Sequence, residues 1–255
     1  MRWRNGAVEQ MERMVPEETP VAIVHDAATT AVMMATPSDL EEFAIGFSLT
    51  EGIVTKIDEI MDLEIVEVAD GIEVRMWLTP ERSSIHAMRC RNLIGPTGCG
   101  LCGVDSLAAA VRALPAAPTG VTISPTDVRA AVAQLTGLQH LGAATRAVHA
   151  AALWSRQPDL CLVREDVGRH NALDKLAGAA ALSGIDASDR AVVLTSRVSI
   201  EMVQKTAMLG SPVIIAVSAP TAMAIDTADA CGITLIGIAR DDGFEVFTHP
   251  HRLAL

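Results

Sequence analysis

Two cysteines three positions apart, Cys99 and Cys102, sit in the run Gly95-Pro96-Thr97-Gly98-Cys99-Gly100-Leu101-Cys102-Gly103-Val104-Asp105-Ser106. Five of these twelve residues are glycine or proline, a density that excludes a helix or a central strand and predicts a loop. Asp105 or Ser106 is suited to cap an apolar helix over 107–114 that Pro115 ends. The thiols would then lie just ahead of a helix N-terminus, whose dipole favours a thiolate. Arg82, Arg89 and Arg91 push the same way, and Asp105 opposes them.

Three chemistries fit such a pair. A zinc site needs two more ligands; His86 and Cys90 are near, but the spacing is irregular and there is no second Cys-x-x-Cys. A redox dithiol should open a helix directly after a strand, whereas glycines flank this motif on both sides and suit access by large partners. A carrier of labile sulfur requires one accessible thiolate of low pKa. Two incidental thiols in a loop are the plain alternative. Cys161, in an apolar strand pattern, and Cys231, at a helix end, read as packing residues, while Cys90 between two arginines stays open.

The elements that would position this chemistry fall into two patterns. In the first, apolar positions over 20–35 alternate on either side of Asp26-Ala27-Ala28, predicting two short strands, and those over 61–78 alternate around Asp70-Gly71, predicting a hairpin. Between them, Thr36 as cap and Pro37 in the first turn open a helix carrying Leu40, Phe43, Ala44 and Phe47 and stopping at Gly52. In the second pattern, after Ser124-Pro125-Thr126-Asp127 opens a helix, strands at 160–164, 191–195, 213–217 and 234–239 alternate with helices at 143–156, 171–183, 199–209 and 221–231. A last strand is expected at 244–248. This alternation predicts a largely parallel sheet covered by helices. The expected organisation is a small N-terminal domain over 1–114, a Pro/Ala linker over 115–126 and an α/β domain over 127–255.

In open α/β sheets ligands bind beyond the carboxyl ends of strands. Three polar clusters are expected there: Arg164-Glu165-Asp166-Val167-Gly168-Arg169-His170-Asn171, Thr195-Ser196-Arg197-Val198-Ser199 and Ser218-Ala219-Pro220-Thr221. Together they predict one pocket, with Arg197 and the amides at Ser199 facing an anion. His149, on the expected Ala-rich helix, reads as a core histidine, and Arg252 as a solvent tail or a phosphate contact.

Composition bounds the function. Half of the 255 residues are apolar, only 3% are aromatic and none is tyrosine, so the core is aliphatic. A net charge of −11 argues against nucleic acid as a partner while leaving room for a local basic pocket. No secretory pattern opens the chain, and the uncharged stretch 206–225 is broken by Gly210, Pro212 and Pro220, so no membrane association is expected. Five cysteines, an odd number, indicate a reducing, cytoplasmic setting.

Several segments match a known family: Thr36-Pro37-Ser38-Asp39-Leu40, Gly46-Phe47-Ser48-Leu49-Thr50-Glu51-Gly52, Gly98-Cys99-Gly100-Leu101-Cys102-Gly103 and Glu165-Asp166-Val167-Gly168-Arg169-His170-Asn171-Ala172-Leu173-Asp174-Lys175. The run from Ser196 through Lys205, Ser218-Ala219-Pro220-Thr221 and Thr248-His249-Pro250 complete the match. On these the chain resembles the formate dehydrogenase accessory sulfurtransferase family (FdhD/NarQ). The resemblance implies a cytidine-deaminase-like αβα C-terminal domain beside a smaller strand-rich α+β domain, and a homodimer. It implies passage of sulfur from a cysteine desulfurase to the molybdenum cofactor, Mo-bis(molybdopterin guanine dinucleotide), required by formate dehydrogenase. Cys99 would carry the persulfide and Cys102 would be its partner thiol. The cofactor contact would fall on Ile238, Ala239, Arg240, Asp241, Asp242 and Gly243, with Arg169, His170, Arg197 and Ser199 lining the same pocket. No structural metal is expected. Two features depart from the family pattern: Arg146-Ala147-Val148 ahead of His149, and the acidic pair Asp241-Asp242. The one Cys-x-x-Cys lies in the wrong half for deaminase zinc chemistry, so deaminase activity is not expected. The alternative reading is a cofactor chaperone that moves no sulfur.

Overall fold

In the computed structural model, which describes residues 1–91, 113–157 and 161–254, two sheets lie on either side of a pair of deeply buried helices. The expected helix over 107–114 and both Cys99 and Cys102 fall outside the described residues, apart from Ala113 and Leu114. A small hairpin of β1 (Arg2–Arg4) and β2 (Ala7–Glu9) opens the chain. Next come β3 (Thr19–His25), β4 (Ala28–Ala35), α1 (Leu40–Thr50), β5 (Ile60–Val68) and β6 (Gly71–Leu78). The two strands expected over 20–35 form and pair with each other, the hairpin expected over 61–78 forms, and the sheet order is β4-β3-β6-β5. The central β3–β6 pair is parallel, which requires a crossover, and α1 provides it.

The start of α1 differs from expectation. Thr36 does not cap it; the helix begins at Leu40, behind Asp39 in a left-handed conformation. Thr36 is buried and fully engaged elsewhere. Its N–H donates to Asp166 Oδ2 at 3.0 Å, its hydroxyl accepts from the Val167 N–H at 3.2 Å and its carbonyl accepts from Lys175 Nζ at 2.8 Å. A second departure is α2 (Pro80–Arg91), a polar helix with no apolar stripe to announce it. Its Arg82, counted above among the charges near the thiols, pairs with Glu59 at 2.9 Å.

The C-terminal half contains α3 (Pro125–Leu138), α4 (His140–Thr145), β7 (His149–Trp154), β8 (Leu162–Asp166), α5 (Arg169–Leu182), β9 (Ala191–Leu194), α6 (Ile200–Leu209), β10 (Val213–Ala216), α7 (Ala222–Cys231), β11 (Thr234–Arg240) and β12 (Gly243–Val246). The Ser124–Asp127 capping box forms as its sequence predicts. One helix expected over 143–156 does not exist. Ala143 and Ala144 fall in α4, and Ala150, Ala151 and Ala152 lie in β7, a central strand whose Ala150 and Ala152 face α3 while Ala151 and Leu153 face α5. Burial on both faces overrides the helix propensity of alanine.

The sheet order is β12-β11-β10-β9-β7-β8. The expectation of a largely parallel sheet is corrected. Only β9–β10 and β10–β11 are parallel neighbours, and β7 and β12 run against the rest. The carboxyl ends of β8, β9, β10 and β11 nevertheless share one rim, where β7 begins. Helices α5, α6 and α7 cover one face and α3 the other. The stretch after Leu114 is tied to this half: the Ala117 N–H donates to the Cys231 carbonyl at 2.7 Å, and Arg252 holds the Pro118 carbonyl at 2.9 Å.

Helices α1 and α5 join the two sheets. In α5 every residue from Asn171 to Ala180 is buried, and α1 buries Leu40, Phe43, Ala44, Ile45, Gly46, Ser48 and Thr50. They cross at two glycines. A Cβ on Gly46 would lie 1.7 Å from the Asp174 carbonyl oxygen, and one on Gly178 1.9 Å from that of Glu42. Helix propensity alone predicts that Gly46→Ala stabilises the protein by about 1 kcal/mol. The backbone contact reverses the sign, and we expect a loss of about 3 kcal/mol or more in urea denaturation. Unchanged or increased stability would show that the crossing is looser than described.

Candidate functional site

The residues ending β8 divide by role. Arg164 pairs with Glu42 of α1, and Glu165 accepts the N–H groups of Leu141 and Gly142, both at 2.7 Å, in the first turn of α4. Asp166 is wholly buried: Oδ2 meets Lys175 Nζ at 2.7 Å, and Oδ1 accepts from the Gly168 N–H and Asn171 Nδ2 at 2.8 and 2.9 Å. Asn171 Nδ2 also reaches the Met34 carbonyl. These groups close the strand-turn-helix and fasten it to the N-terminal half. Each is hydrogen-bonded or ion-paired within the protein.

Arg169 and His170 are different. Arg169 Nε and His170 Nε2 are buried side-chain atoms without a hydrogen-bond partner among the described residues; the buried Ser199 hydroxyl makes no well-formed hydrogen bond either, but the Glu201 carboxylate lies beside it, and Ser199 helps hold that carboxyl below its usual pKa. All three stand at helix N-termini, Arg169 and His170 in the first turn of α5 and Ser199 at the start of α6. Neither terminus is capped by a side chain. Buried polar atoms are almost always paired, so the unpaired Arg169 and His170 atoms, with Ser199 beside them, make this rim the candidate site. At the start of α6 the Glu201 carboxylate already accepts its own backbone N–H, whereas the first turn of α5 carries no acidic residue, so the α5 N-terminus is the one that favours a negatively charged group.

The electrostatics fit. Burial, then the charges of Arg169 and Lys205, lowers the His170 pKa to about 4, against the pull of Glu201 and Glu51. His149 belongs to this rim, not to the core helix expected for it. It opens β7 opposite Asp166, and burial followed by Arg169 holds its pKa below the ordinary value. The site therefore presents two neutral imidazoles around one guanidinium. Behind His170, buried Lys205 contacts Asp174 at 2.8 Å and Glu51 at 2.7 Å. Burial disfavours its ammonium, but Asp174 and Glu51 outweigh burial and raise its pKa.

The three strand-end clusters are laced together. Val198 bridges Pro220, and the Ile238 N–H donates to the Ser218 carbonyl at 3.2 Å. Ile238 has φ of 53°, a left-handed conformation that a β-branched residue rarely adopts and that marks local strain. Ala239 is buried against the α3 face, whereas Arg240, Asp241, Asp242 and Gly243 are exposed in the β11–β12 turn. Arg197 is exposed on the rim. Arg252, read above as tail or phosphate contact, is a buried clip whose guanidinium holds the Gly232 and Pro118 carbonyls.

A second polar chain runs under α2. His25 Nε2 and Nδ1 meet Ser48 Oγ and Thr30 Oγ1 at 2.9 and 2.7 Å, and Thr30 Oγ1 meets His86 Nε2 at 3.2 Å. His86, weighed above as a zinc ligand, is thus bonded into the N-terminal sheet. Burial raises the pKa values of Cys161 and Cys231, consistent with inert packing thiols.

A family model described as the FdhD/NarQ family matches residues 16–254. The chain belongs to the FdhD/NarQ family. It is 50% identical over 253 residues to the sulfur carrier protein FdhD of Agrobacterium fabrum, covering 99% of this chain and 93% of that protein. A protein of the same name from Cupriavidus necator is also 50% identical over 253 residues, with 99% and 88% covered. A crystal structure from Desulfotalea psychrophila, of a candidate formate dehydrogenase accessory protein, superposes with a TM-score of 0.75 at 27% identity over 99% of this chain and 96% of that one. The chain therefore shares its mixed α/β fold with that protein at 27% identity. Among the described residues no helix is long and apolar enough to cross a membrane.

The state of His170 has a measurable consequence. Its folded pKa of about 4 lies below the unfolded value of 6.5, so the unfolded chain binds more protons between them. Stability contributed by the neutral ring is complete above about pH 6.5 and is lost as pH falls toward about 4. We expect His170→Gln to remove roughly 2 kcal/mol of the stability lost between about pH 7.5 and pH 5, measured by urea denaturation. An identical pH dependence in parent and variant would show that this ring is not held neutral by burial.

Proposed function

We propose that this protein is a sulfur carrier in formate dehydrogenase maturation, acting through a persulfide on Cys99. The observation that carries the reading is the Cys99/Cys102 pair in a chain half identical, nearly end to end, to proteins named sulfur carrier protein FdhD. In the proposed first step the Cys99 thiolate attacks the terminal sulfur of a cysteine desulfurase persulfide. The donor S–S bond breaks, its thiolate leaves and a persulfide forms on Cys99, with no net redox change. In the second step the Cys102 thiol attacks the inner sulfur of that persulfide. The Cys99–Cys102 disulfide forms, sulfide leaves at the oxidation level of a molybdenum ligand, and a cellular dithiol reductant regenerates the thiols.

The cargo in this reading is Mo-bis(molybdopterin guanine dinucleotide), held at the strand-end rim, with formate dehydrogenase as its acceptor and a homodimer in the cytoplasm as the working form. The unpartnered Arg169 and His170 atoms, with Ser199 beside them, support the binding half of the proposal, because they call for an anionic ligand with several acceptor oxygens. Arg169 would supply the charge and the neutral His170 a hydrogen bond. Arg197 and residues 238–243 would contact the cargo along the open side.

The test is mass spectrometry after incubation with a cysteine desulfurase and cysteine. We expect the peptide containing Cys99 to gain the mass of one sulfur, Cys99→Ala to abolish that gain, and the variant to leave a formate dehydrogenase inactive. If Cys99→Ala activates the dehydrogenase fully, the protein is a cofactor chaperone and the persulfide mechanism is wrong.

A further inference from the structure

The N-terminal sheet has two edges of different character. β4 is tied to the rest of the molecule: Thr30 Oγ1 meets His86 Nε2 at 3.2 Å, and the Met34 carbonyl accepts from Asn171 Nδ2 at 2.8 Å. β5, at the other edge, pairs with β6 alone among the described residues. It is nine residues long, against about five or six for a typical strand, and none of its residues is buried. An edge of that length leaves a row of backbone N–H and C=O groups unpaired, a template for another strand. In the second sheet, by contrast, the edge strand β12 has only four residues.

The side chains along β5 decide what can pair with it. Residues 58–73 hold seven carboxylates and no lysine, arginine or histidine, in a chain of net charge −11. Arg82 pairs with Glu59 and Arg75 with Glu73, while Arg75 approaches Glu64 only to 3.9 Å, between exposed side chains. Asp62, Glu67 and Asp70 are exposed and in no ion pair among the described residues. Asp62 and Glu64 stand opposite Trp77 and Arg75, on the face turned away from α1, whereas Val74 and Met76 pack in the core that α1 covers. Between the carboxylates, Met61 is 62% and Ile65 45% exposed. A second copy of the chain is a poor occupant: β5 against β5 would bring three carboxylates of each strand to a spacing of about 5 Å, where like charges repel.

We propose that the free edge of β5 binds an extended, lysine- or arginine-bearing segment of a partner protein as an added strand. Main-chain hydrogen bonds along the edge supply affinity whatever the partner's side chains. Cations set beside Asp62, Glu64 and Glu67 supply selectivity, and apolar residues at the alternate positions cover Met61 and Ile65. The segment docks on the module that leads to the cysteine pair, because β6 runs into α2, which ends eight residues ahead of Cys99. Strand addition at this edge involves no thiol, so it stands or falls independently of sulfur transfer.

The test is fluorescence anisotropy of the full chain with two labelled octapeptides of equal charge, (Lys-Val)4 and (Lys-Pro)4. The first can form a strand; the second adopts a polyproline conformation and cannot extend a sheet. We expect (Lys-Val)4 to bind about tenfold more tightly or better, and to slow amide hydrogen exchange across residues 60–68. Its affinity for the variant Asp62→Lys/Glu64→Lys should fall by about tenfold or more. Both positions are exposed, and a thermal melt checks that the variant keeps its fold. Equal affinity for the two peptides overturns the proposal, as does equal affinity in parent and variant, or unchanged exchange at 60–68. Exchange at 60–68 that slows with protein concentration in the absence of peptide would assign the edge to a second copy and also overturn it. Cys99→Ala should bind (Lys-Val)4 as the parent does, whether or not the sulfur-transfer reading survives.

Discussion

Everything in this molecule depends on the contact between α1 and α5, two helices close enough that neither can carry a side chain where they cross. Gly46 and Gly178 bring backbone against backbone. The two sheets are therefore fastened by one rigid seam and not by a tether. That seam fixes where the N-terminal module, from which the cysteine segment follows, sits relative to the strand-end rim.

Charge reinforces the seam on both sides. Lys175 joins Asp166 to the Thr36 carbonyl, and Lys205 joins Asp174 to Glu51. Each ammonium also lies near a phenylalanine of α1, Lys175 at 5.9 Å from the Phe43 ring centre and Lys205 at 5.5 Å from that of Phe47. Removing one partner from such a buried pair typically costs about 3–5 kcal/mol, because the other charge is left unpaired. The pairs link α1 and its approach to α5, β8 and α6, so they report on correct docking of the two halves. They also place the α5 N-terminus, which sets Arg169 and His170 on the rim.

This division explains a motif that reads as uniformly chemical. In the segment from Glu165 to Lys175, Glu165, Asp166, Asn171, Asp174 and Lys175 build the fold. Arg169 Nε and His170 Nε2 take no part in those hydrogen bonds and lack a partner among the described residues, which is why our proposal assigns them to a ligand. A dense polar cluster at a strand end is thus two things at once, a lock and the candidate site that the lock positions. Spacing along the chain does not separate them. Burial and hydrogen-bond satisfaction do.

The local elements that follow from short-range chemistry were legible in the sequence. These are the strands over 20–35, the Asp70-Gly71 hairpin, the Ser124 capping box and the helices that end at Gly210 and Gly232. The thiol pair, the aliphatic core and the polar strand ends were legible too, because turn chemistry, capping and alternation act over a few residues. What only the tertiary structure decided involves partners far apart in the chain. Thr36 turned from helix cap to cross-link because Asp166, Val167 and Lys175 reach it. The alanines before Trp154 became a strand because helices cover both faces of the sheet. His149 moved from core to rim with them, and Arg252 was drawn inward by the Gly232 and Pro118 carbonyls. A residue's type sets what it can bond; only the fold sets what is close enough to be bonded.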